Sequence, residues 1–311
     1  MGQKYSVRLE NLISSLSWAE HLAEENNCDE VLCLGDFFDK PELGPMEITA
    51  LQDVQFADCP HSFLVGNHES NIASLEYSST NIFRSLDAKI ISKPESKIVN
   101  GVELYFIPYL TAQSSLDLSD YISNNNRKKI VFSHNDLAGI QYGKFTSNLG
   151  FDVNSILDNC TLFINGHLHN SYMVNDRIIL VGNLTGQNFN EDASQYNHYA
   201  YLLTIDDQAN ITLTPYINPV ALNFYKLYIT NRNDLEKIGF LFEEQINSLK
   251  NIANAQNQAL AAKPASPEAI ANQEKQIKAL KEQQSALHKQ LQQNEVVSPA
   301  TCIVTDVKIK N

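Results

Sequence analysis

This chain contains four short apolar runs, each followed at once by a group of polar residues, and this pattern restricts its possible folds more than any other. The runs are rich in Val, Ile, Leu and Phe, as expected of buried strands, and they span residues 30–34, 62–65, 129–132 and 161–164. Side chains just past the ends of such strands lie where layered α/β folds bind their ligands. The pattern therefore predicts an α/β fold with a polar site at the strand ends.

The polar groups that follow these runs contain residue types that bind divalent cations. A carboxylate can bridge two ions about 3.5–4 Å apart, with neutral oxygens and imidazoles completing their coordination. Asp36 is the natural bridge. Asn67 supplies a carbonyl oxygen, His134 and His167 supply nitrogens, and His169 can reach the neighbouring ion. These groups predict a two-metal site for phosphoester hydrolysis.

His68 follows the expected ligand Asn67 directly, and it could protonate a leaving oxygen or stabilise charge on the transferring phosphoryl group. A single histidine at a strand end is more often structural than functional. Four of the eight histidines, however, fall within these polar groups, which makes a shared role the better interpretation. We interpret the remaining four as surface or packing residues: His21, His61, His198 and His288.

The order and spacing of the groups, GDxxD, GNHE, H and GHxH, resemble the calcineurin-like metallophosphoesterase family over about residues 10–215. The resemblance implies a four-layer αββα sandwich, two manganese-type ions and phosphodiester hydrolysis. Residues 133–144 are also similar, more weakly, to the SbcD-type nuclease subunit of DNA repair complexes, especially those of tailed phages. That second likeness implies DNA as the substrate.

By motif position, the resemblance assigns a role to each residue. Asp36 is similar to the bridging ligand, Asn67, His134 and His167 to ligands of the second ion, His169 to a ligand of the first, and His68 to the catalytic histidine. Asp39 and Glu69 are expected to support the ligands rather than to bind metal. Tyr142 and Lys144 are the candidates for contact with DNA, although packing explains Tyr142 equally well.

One departure from the family pattern concerns the first ion. The family begins with a strand ending in Asp-x-His, and no Asp-x-His lies upstream of Asp36 in this chain. Three explanations compete: a truncated or misannotated chain, a split gene whose missing strand comes from another polypeptide, or a degenerate member that binds one ion or none. The intact remaining motifs favour the first two.

Composition and charge limit the function less than the motifs do. In this 311-residue chain 43% of residues are hydrophobic and 19% are charged, which is typical of a soluble globular protein. The sequence contains no apolar run of about 20 residues, so we expect a cytoplasmic protein without a membrane partner. Five scattered cysteines predict free thiols. The net charge of −13 disfavours wrapping of nucleic acid by bulk electrostatics without excluding a nuclease.

Local signals predict several further elements. Apolar residues at helical spacing predict a helix over residues 10–28, and Asn100-Gly101 predicts a hairpin turn within residues 88–108. Residues 1–215 are expected to form the nuclease domain and residues 216–311 a capping region. The latter contains two amphipathic helices in a hairpin over about residues 233–293, and an alternating terminal strand at residues 301–310.

The helical hairpin has two interpretations, which are packing against the catalytic domain and binding of a partner. In the family that this chain resembles, the corresponding region grips the base of an SbcC-like coiled-coil ATPase. Association of two copies of the chain into a homodimer is a further alternative. The first functional hypothesis is thus a DNA exo- or endonuclease subunit. The alternatives are a phosphatase or cyclic-nucleotide phosphodiesterase of the same fold, and a non-catalytic scaffold that has lost its first metal site.

Overall fold

The computed structural model describes residues 4–71, 74–142, 145–188, 192 and 195–226. Residues 1–186 and 195–221 belong to one compact unit, and residues 187–194 and 222–311 to a second. Lys144, the predicted hairpin at 233–293 and the predicted strand at 301–310 lie outside the described residues. The domain boundary near residue 215 and the capping region therefore stay predictions.

The described part is a mixed α/β structure, as predicted. Its α-helices are α1 (Val7–Glu25), α2 (Pro45–Leu51) and α3 (Val153–Asn159), with 3-10 helices at Ser79–Leu86, Gln113–Ser115 and Leu118–Asp120. The strands are β1 (Val31–Cys33), β2 (His61–Leu64), β3 (Ser70–Asn71), β4 (Ser74–Ser78), β5 (Lys89–Ile91), β6 (Glu95–Val99), β7 (Val102–Ile107), β8 (Lys129–Ser133), β9 (Leu137–Ala138), β10 (Gln141–Tyr142), β11 (Phe145–Thr146), β12 (Phe151–Asp152), β13 (Leu162–Asn165), β14 (Tyr172–Asn175), β15 (Ile178–Leu180), β16 (Tyr199–Ile205) and β17 (Ile211–Ile217).

Two sheets carry the four apolar runs recognised in the sequence. The smaller sheet has the order β1-β2-β5, and all three strands are parallel. The larger has the order β14-β15-β13-β8-β7-β6, with parallel inner strands and an antiparallel strand at each edge. Because β1 and β2 share a direction, as do β8 and β13, the polar residues that follow each pair lie at one edge of their sheet.

The alternation of side chains along β7 divides the core between two faces of the larger sheet. Leu104 and Phe106 join a buried cluster with Leu64 of the smaller sheet, so the two sheets pack face to face. Tyr105 and Ile107 join a second cluster on the opposite face. That cluster includes Ile156 of α3, which covers this side of the sheet.

The predicted hairpin at Asn100-Gly101 is confirmed. Val99 pairs with Val102, and the two residues between them have φ values of 48° and 80°. Positive φ at both central positions is typical of the two-residue turn that matches the twist of the flanking strands. The turn therefore fixes the register of β6 against β7.

The first helix is present but lies about three residues earlier than the predicted range of 10–28. Its start is set by Ser6, whose hydroxyl accepts the N–H of Leu9 at 3.3 Å. It ends at Glu25, and Asn27 has a φ of 50°, a left-handed conformation that helices cannot continue.

Two of the histidines outside the polar groups are packing residues, as predicted. His61 lies 2.9 Å from the buried carboxylate of Glu20 in α1, and His198 is buried. The four cysteines within the described residues are free thiols, also as predicted. No helix among the described residues combines the length and apolar character needed to cross a bilayer.

Candidate metal centre

Two glycines allow the side chains of the site to approach one another. Gly35 follows β1 with a φ of 95°, and a Cβ atom there would lie 2.4 Å from Nδ1 of His134. A Cβ atom on Gly66 would lie 2.1 Å from Oδ1 of Asp36. Both distances are far below van der Waals contact, so any larger residue at these positions would push the side chains of His134 and Asp36 out of place.

Glu69 organises the backbone around Asp36. Its fully buried carboxylate accepts the N–H groups of Gly66 at 2.7 Å and of Asp36 and Phe38 at 3.1 Å each. Burial raises the pKa of Glu69 to about 7, while the N–H groups of Gly66 and Phe38 act in the opposite direction. The carboxylate thus holds the backbone around Asp36 through three contacts, and its role as a support for the metal ligands stays a prediction.

Asp36 lies in the loop that follows β1 and directs its carboxylate into the site. Oδ1 accepts the N–H of His68 at 2.9 Å, and Oδ2 lies 3.0 Å from Nε2 of His134. Burial by itself raises the pKa of Asp36, but contact with His134 and His68 lowers it overall. The carboxylate is therefore held in the ionised form that a cation ligand requires.

The atoms around His134 favour a cation between them. Its Nδ1 lies 2.6 Å from the carbonyl oxygen of Leu34, which can only accept, so Nδ1 carries the proton of the neutral ring. Nε2 is then the nitrogen left to bind a cation, and it lies 3.0 Å from Oδ2 of Asp36. Oδ1 of Asn67 and Nδ1 of His167 each lie 3.3 Å from the same nitrogen. A divalent cation would satisfy these electron-pair donors together, which a single proton cannot do.

One oxygen or nitrogen from each of Asp36, His134 and His167 lies within 4.8 Å of the others. With the amide oxygen of Asn67 beside them, the donor set combines oxygen with imidazole nitrogen, which suits Mn²⁺, Fe²⁺ or Zn²⁺. The residues present therefore fit a divalent cation. The structure brings together four of the five residues that the sequence predicted as ligands.

The fifth predicted ligand, His169, lies outside this group among the described residues. Its side chain is exposed, and its backbone carbonyl accepts the N–H of Asn183 at 2.8 Å. Its assignment to a first ion stays a prediction.

The four residues Asp36, Asn67, His134 and His167 form a cluster of candidate ligands. His68 lies on the solvent side of this cluster. Its Nδ1 is 3.0 Å from Oδ1 of Asp39, its Nε2 is 4.0 Å from Oδ2 of Asp36, and 42% of its side chain is exposed. Asp39 itself is almost fully exposed and contacts the histidine rather than the cluster. The ring of His68 thus lies between the carboxylates of Asp39 and Asp36 at the surface of the site, and its catalytic role stays a prediction.

The structure does not test the predicted DNA contacts. The backbone of Tyr142 lies in β10, but its side chain is not among those described, and Lys144 lies outside the described residues. Both stay predictions.

Sequence reasoning missed three residues around the site. Asp136, two residues after His134, has its Oδ1 atom 3.4 Å from Nε2 of His167. Asn135 is fully buried, and its Oδ1 atom accepts the N–H of Leu110 at 2.8 Å. Asn165 accepts the N–H of His167 at 2.7 Å. A run of polar residues directly after an apolar strand was the available signal for the first two.

The facing sheets and the donors at their strand ends define the class of metal-binding α/β phosphoesterases. The family model described as calcineurin-like phosphoesterase matches residues 8–171, more than half of the 311-residue chain. The chain belongs to this family, whose activity is metal-dependent hydrolysis of phosphoesters. No curated protein matches the chain. The matched range contains every predicted metal ligand.

Proposed function

We propose that this chain cleaves phosphodiester bonds of DNA with divalent cations held at Asp36, Asn67, His134 and His167. The observation that supports a cation-dependent reaction is the position of Nε2 of His134, 3.0 Å from Oδ2 of Asp36 with two further donors beside it. A bound cation would supply Lewis acidity and activate a water for attack on phosphorus. Manganese and a second ion belong to this proposal, with His169 as the candidate ligand.

The residues of the chain have separate tasks in such a reaction. Asp36 supplies a negative charge and His134 a ring nitrogen to the cation at the bottom of the site, where both side chains are largely buried. His68 stands at the solvent side and can donate a proton to a leaving oxygen or hydrogen-bond to the phosphoryl group. Asp39 contacts Nδ1 of His68 at 3.0 Å, which leaves Nε2 directed to the reacting group.

DNA is proposed as the substrate because residues 133–144 are similar to SbcD-type nucleases. The same likeness and the amphipathic pattern of residues 233–293 lead us to propose an SbcC-like coiled-coil ATPase as a partner. Copurification of the two chains, lost when residues 233–293 are deleted, tests the partner independently of the chemistry.

The experiment that tests the reaction measures Mn²⁺-dependent cleavage of end-labelled single- and double-stranded DNA. Asp36→Ala and His68→Ala should each abolish cleavage while the far-ultraviolet circular dichroism of the chain is retained. Full cleavage by both variants would contradict the proposal. Elemental analysis of the purified chain gives the number of ions bound, one or two, in the same preparation.

A small phosphoester is the second candidate substrate, for a phosphatase or cyclic-nucleotide phosphodiesterase of the same fold. The net charge of −13 favours it, because a polyanion approaches an acidic protein poorly. Nitrophenyl phosphates and cyclic nucleotides, assayed beside the DNA substrates, separate the two. Cation binding without any hydrolysis would instead favour the non-catalytic scaffold.

A further inference from the structure

We propose that Asp136 is a positioning residue, which holds the ring of His167 so that Nδ1 is the nitrogen available to a cation. The inference rests on the proposed metal site and adds a residue to it. It concerns the proton on the imidazole and the orientation of the ring rather than any contact with substrate.

The two nitrogens of His167 face different groups. Nδ1 lies 3.3 Å from Nε2 of His134 and therefore points into the cluster. Nε2 lies 3.4 Å from Oδ1 of Asp136 on the other side of the ring. A carboxylate beside one ring nitrogen favours the proton on that nitrogen and leaves the lone pair on the other. Asp136 thus selects the tautomer of His167 that can bind a cation.

The two histidines of the cluster are oriented by different means. The ring of His134 is fixed by the backbone carbonyl of Leu34, a neutral acceptor inside the core. His167 is 18% exposed and has a carboxylate, 25% exposed, in the corresponding place. The charge of Asp136 also makes the ring nitrogen opposite it a better donor of electrons to a cation.

Tyr109 offers a matched control. Its ring lies against His167, with the two ring centres 6.1 Å apart. Burial raises the pKa of Tyr109, and the charges of Asp136 and Asp36 add to this effect, as expected of a phenol near both carboxylates. Replacement by Phe keeps the ring contact and removes only a hydroxyl group that has no part in the proposal.

The backbone of Asp136 has a separate structural role that a side-chain substitution leaves in place. Its N–H donates to Oε1 of Gln113 at 3.1 Å, and its carbonyl accepts the N–H of Phe151 at 3.0 Å. Neither contact uses the carboxylate. We therefore expect Asp136→Ala and Asp136→Asn to fold, which circular dichroism and urea unfolding will verify.

The first measurement is Mn²⁺ affinity of the full chain by isothermal titration calorimetry. Asp136→Ala should weaken binding about 10- to 100-fold, the range seen when the partner of a ligating histidine is removed. Asp136→Asn, which keeps the shape without the charge, should fall between it and the wild type. Tyr109→Phe should bind as the wild type does. Equal affinities in wild type and Asp136→Ala would overturn the proposal.

The second measurement is the tautomer of His167 in the cation-free chain, from nitrogen-15 shifts of the histidine rings at about pH 8, where an ordinary imidazole is neutral. We expect the proton on Nε2 in the wild type and a mixture of tautomers in Asp136→Ala. An unchanged tautomer in the variant would contradict the role. If the wild type binds no Mn²⁺, the proposed function fails, while this measurement still decides the inference about Asp136.

Discussion

The backbone N–H of His68 donates to Oδ1 of Asp36 at 2.9 Å, and the other oxygen of this carboxylate faces Nε2 of His134. Residues from two strand ends of the smaller sheet are thereby tied to one from the larger. The contact links His68, the candidate proton donor, directly to Asp36, a candidate cation ligand. Substitution of the carboxylate should consequently affect both cation binding and catalysis.

Asp36→Asn should lower the affinity of the chain for Mn²⁺ by about 100-fold or more, because it removes the negative ligand and leaves neutral donors. Equilibrium dialysis with elemental analysis measures this directly. Asp207→Asn, which removes an exposed carboxylate in the turn between β16 and β17, is the matched control and should bind as the wild type does. Similar losses in both variants would show that general charge, and not the cluster, holds the ion.

Glu69→Ala should destabilise the chain by about 3 kcal/mol or more, because three backbone N–H groups lose their acceptor in a buried place. The free energy of unfolding in urea is the measurement. Glu76→Ala is the control, since Glu76 is exposed, and it should change stability by about 0.5 kcal/mol or less. A loss for Glu69→Ala no larger than that of the control would mean that water satisfies these groups.

Phe83→Ala should cost about 3–5 kcal/mol of stability through the cavity it leaves. Phe83 is buried, stacks on Phe63 with ring centres 4.4 Å apart, and contacts Phe37 at 5.0 Å. Because Phe37 lies next to Asp36 in the loop after β1, the variant should also bind Mn²⁺ more weakly. Tyr77→Ala, at a side chain that is 73% exposed, should change neither quantity.

Stability should fall in acid through Glu103 at the start of β7. Hydrogen bonds from Ser123 and Tyr105, with help from Asn125 and Arg127, lower the pKa of Glu103 from 4.5 to about 2. A carboxyl group with a lowered pKa in the folded state stabilises it above pH 4.5, and this contribution is lost as pH falls toward 2.

Urea unfolding of wild type and Glu103→Gln across this range checks the effect of Glu103. The variant should be the less stable protein at pH 7, and the difference between the two should shrink toward pH 2. A difference that stays constant with pH would show that the charge of Glu103 contributes nothing.

Much of the site could be predicted because its residue types follow recognisable strands. Asp36, Asn67, His134 and His167 each stand within four residues of the end of an apolar run, and parallel strands bring such ends together. The turn at Asn100-Gly101 was equally predictable, since its conformation depends on those two residues alone. The ends of helices were less predictable from the sequence, because they depend on contacts of one or two residues, such as the cap at Ser6.

The mixed α/β class, the strand ends that carry the site and the chemical nature of the donors all follow from local patterns in the sequence. Which atoms face one another, in contrast, depends on how the folded chain packs. The ring of His134 is oriented by the carbonyl of Leu34, one hundred residues away in the chain, and that of His167 faces Asp136. The first pair forms where the two sheets pack together, and the second where β8 and β13 end side by side in the larger sheet. Local patterns do not give the orientation of such side chains, because it depends on packing throughout the core.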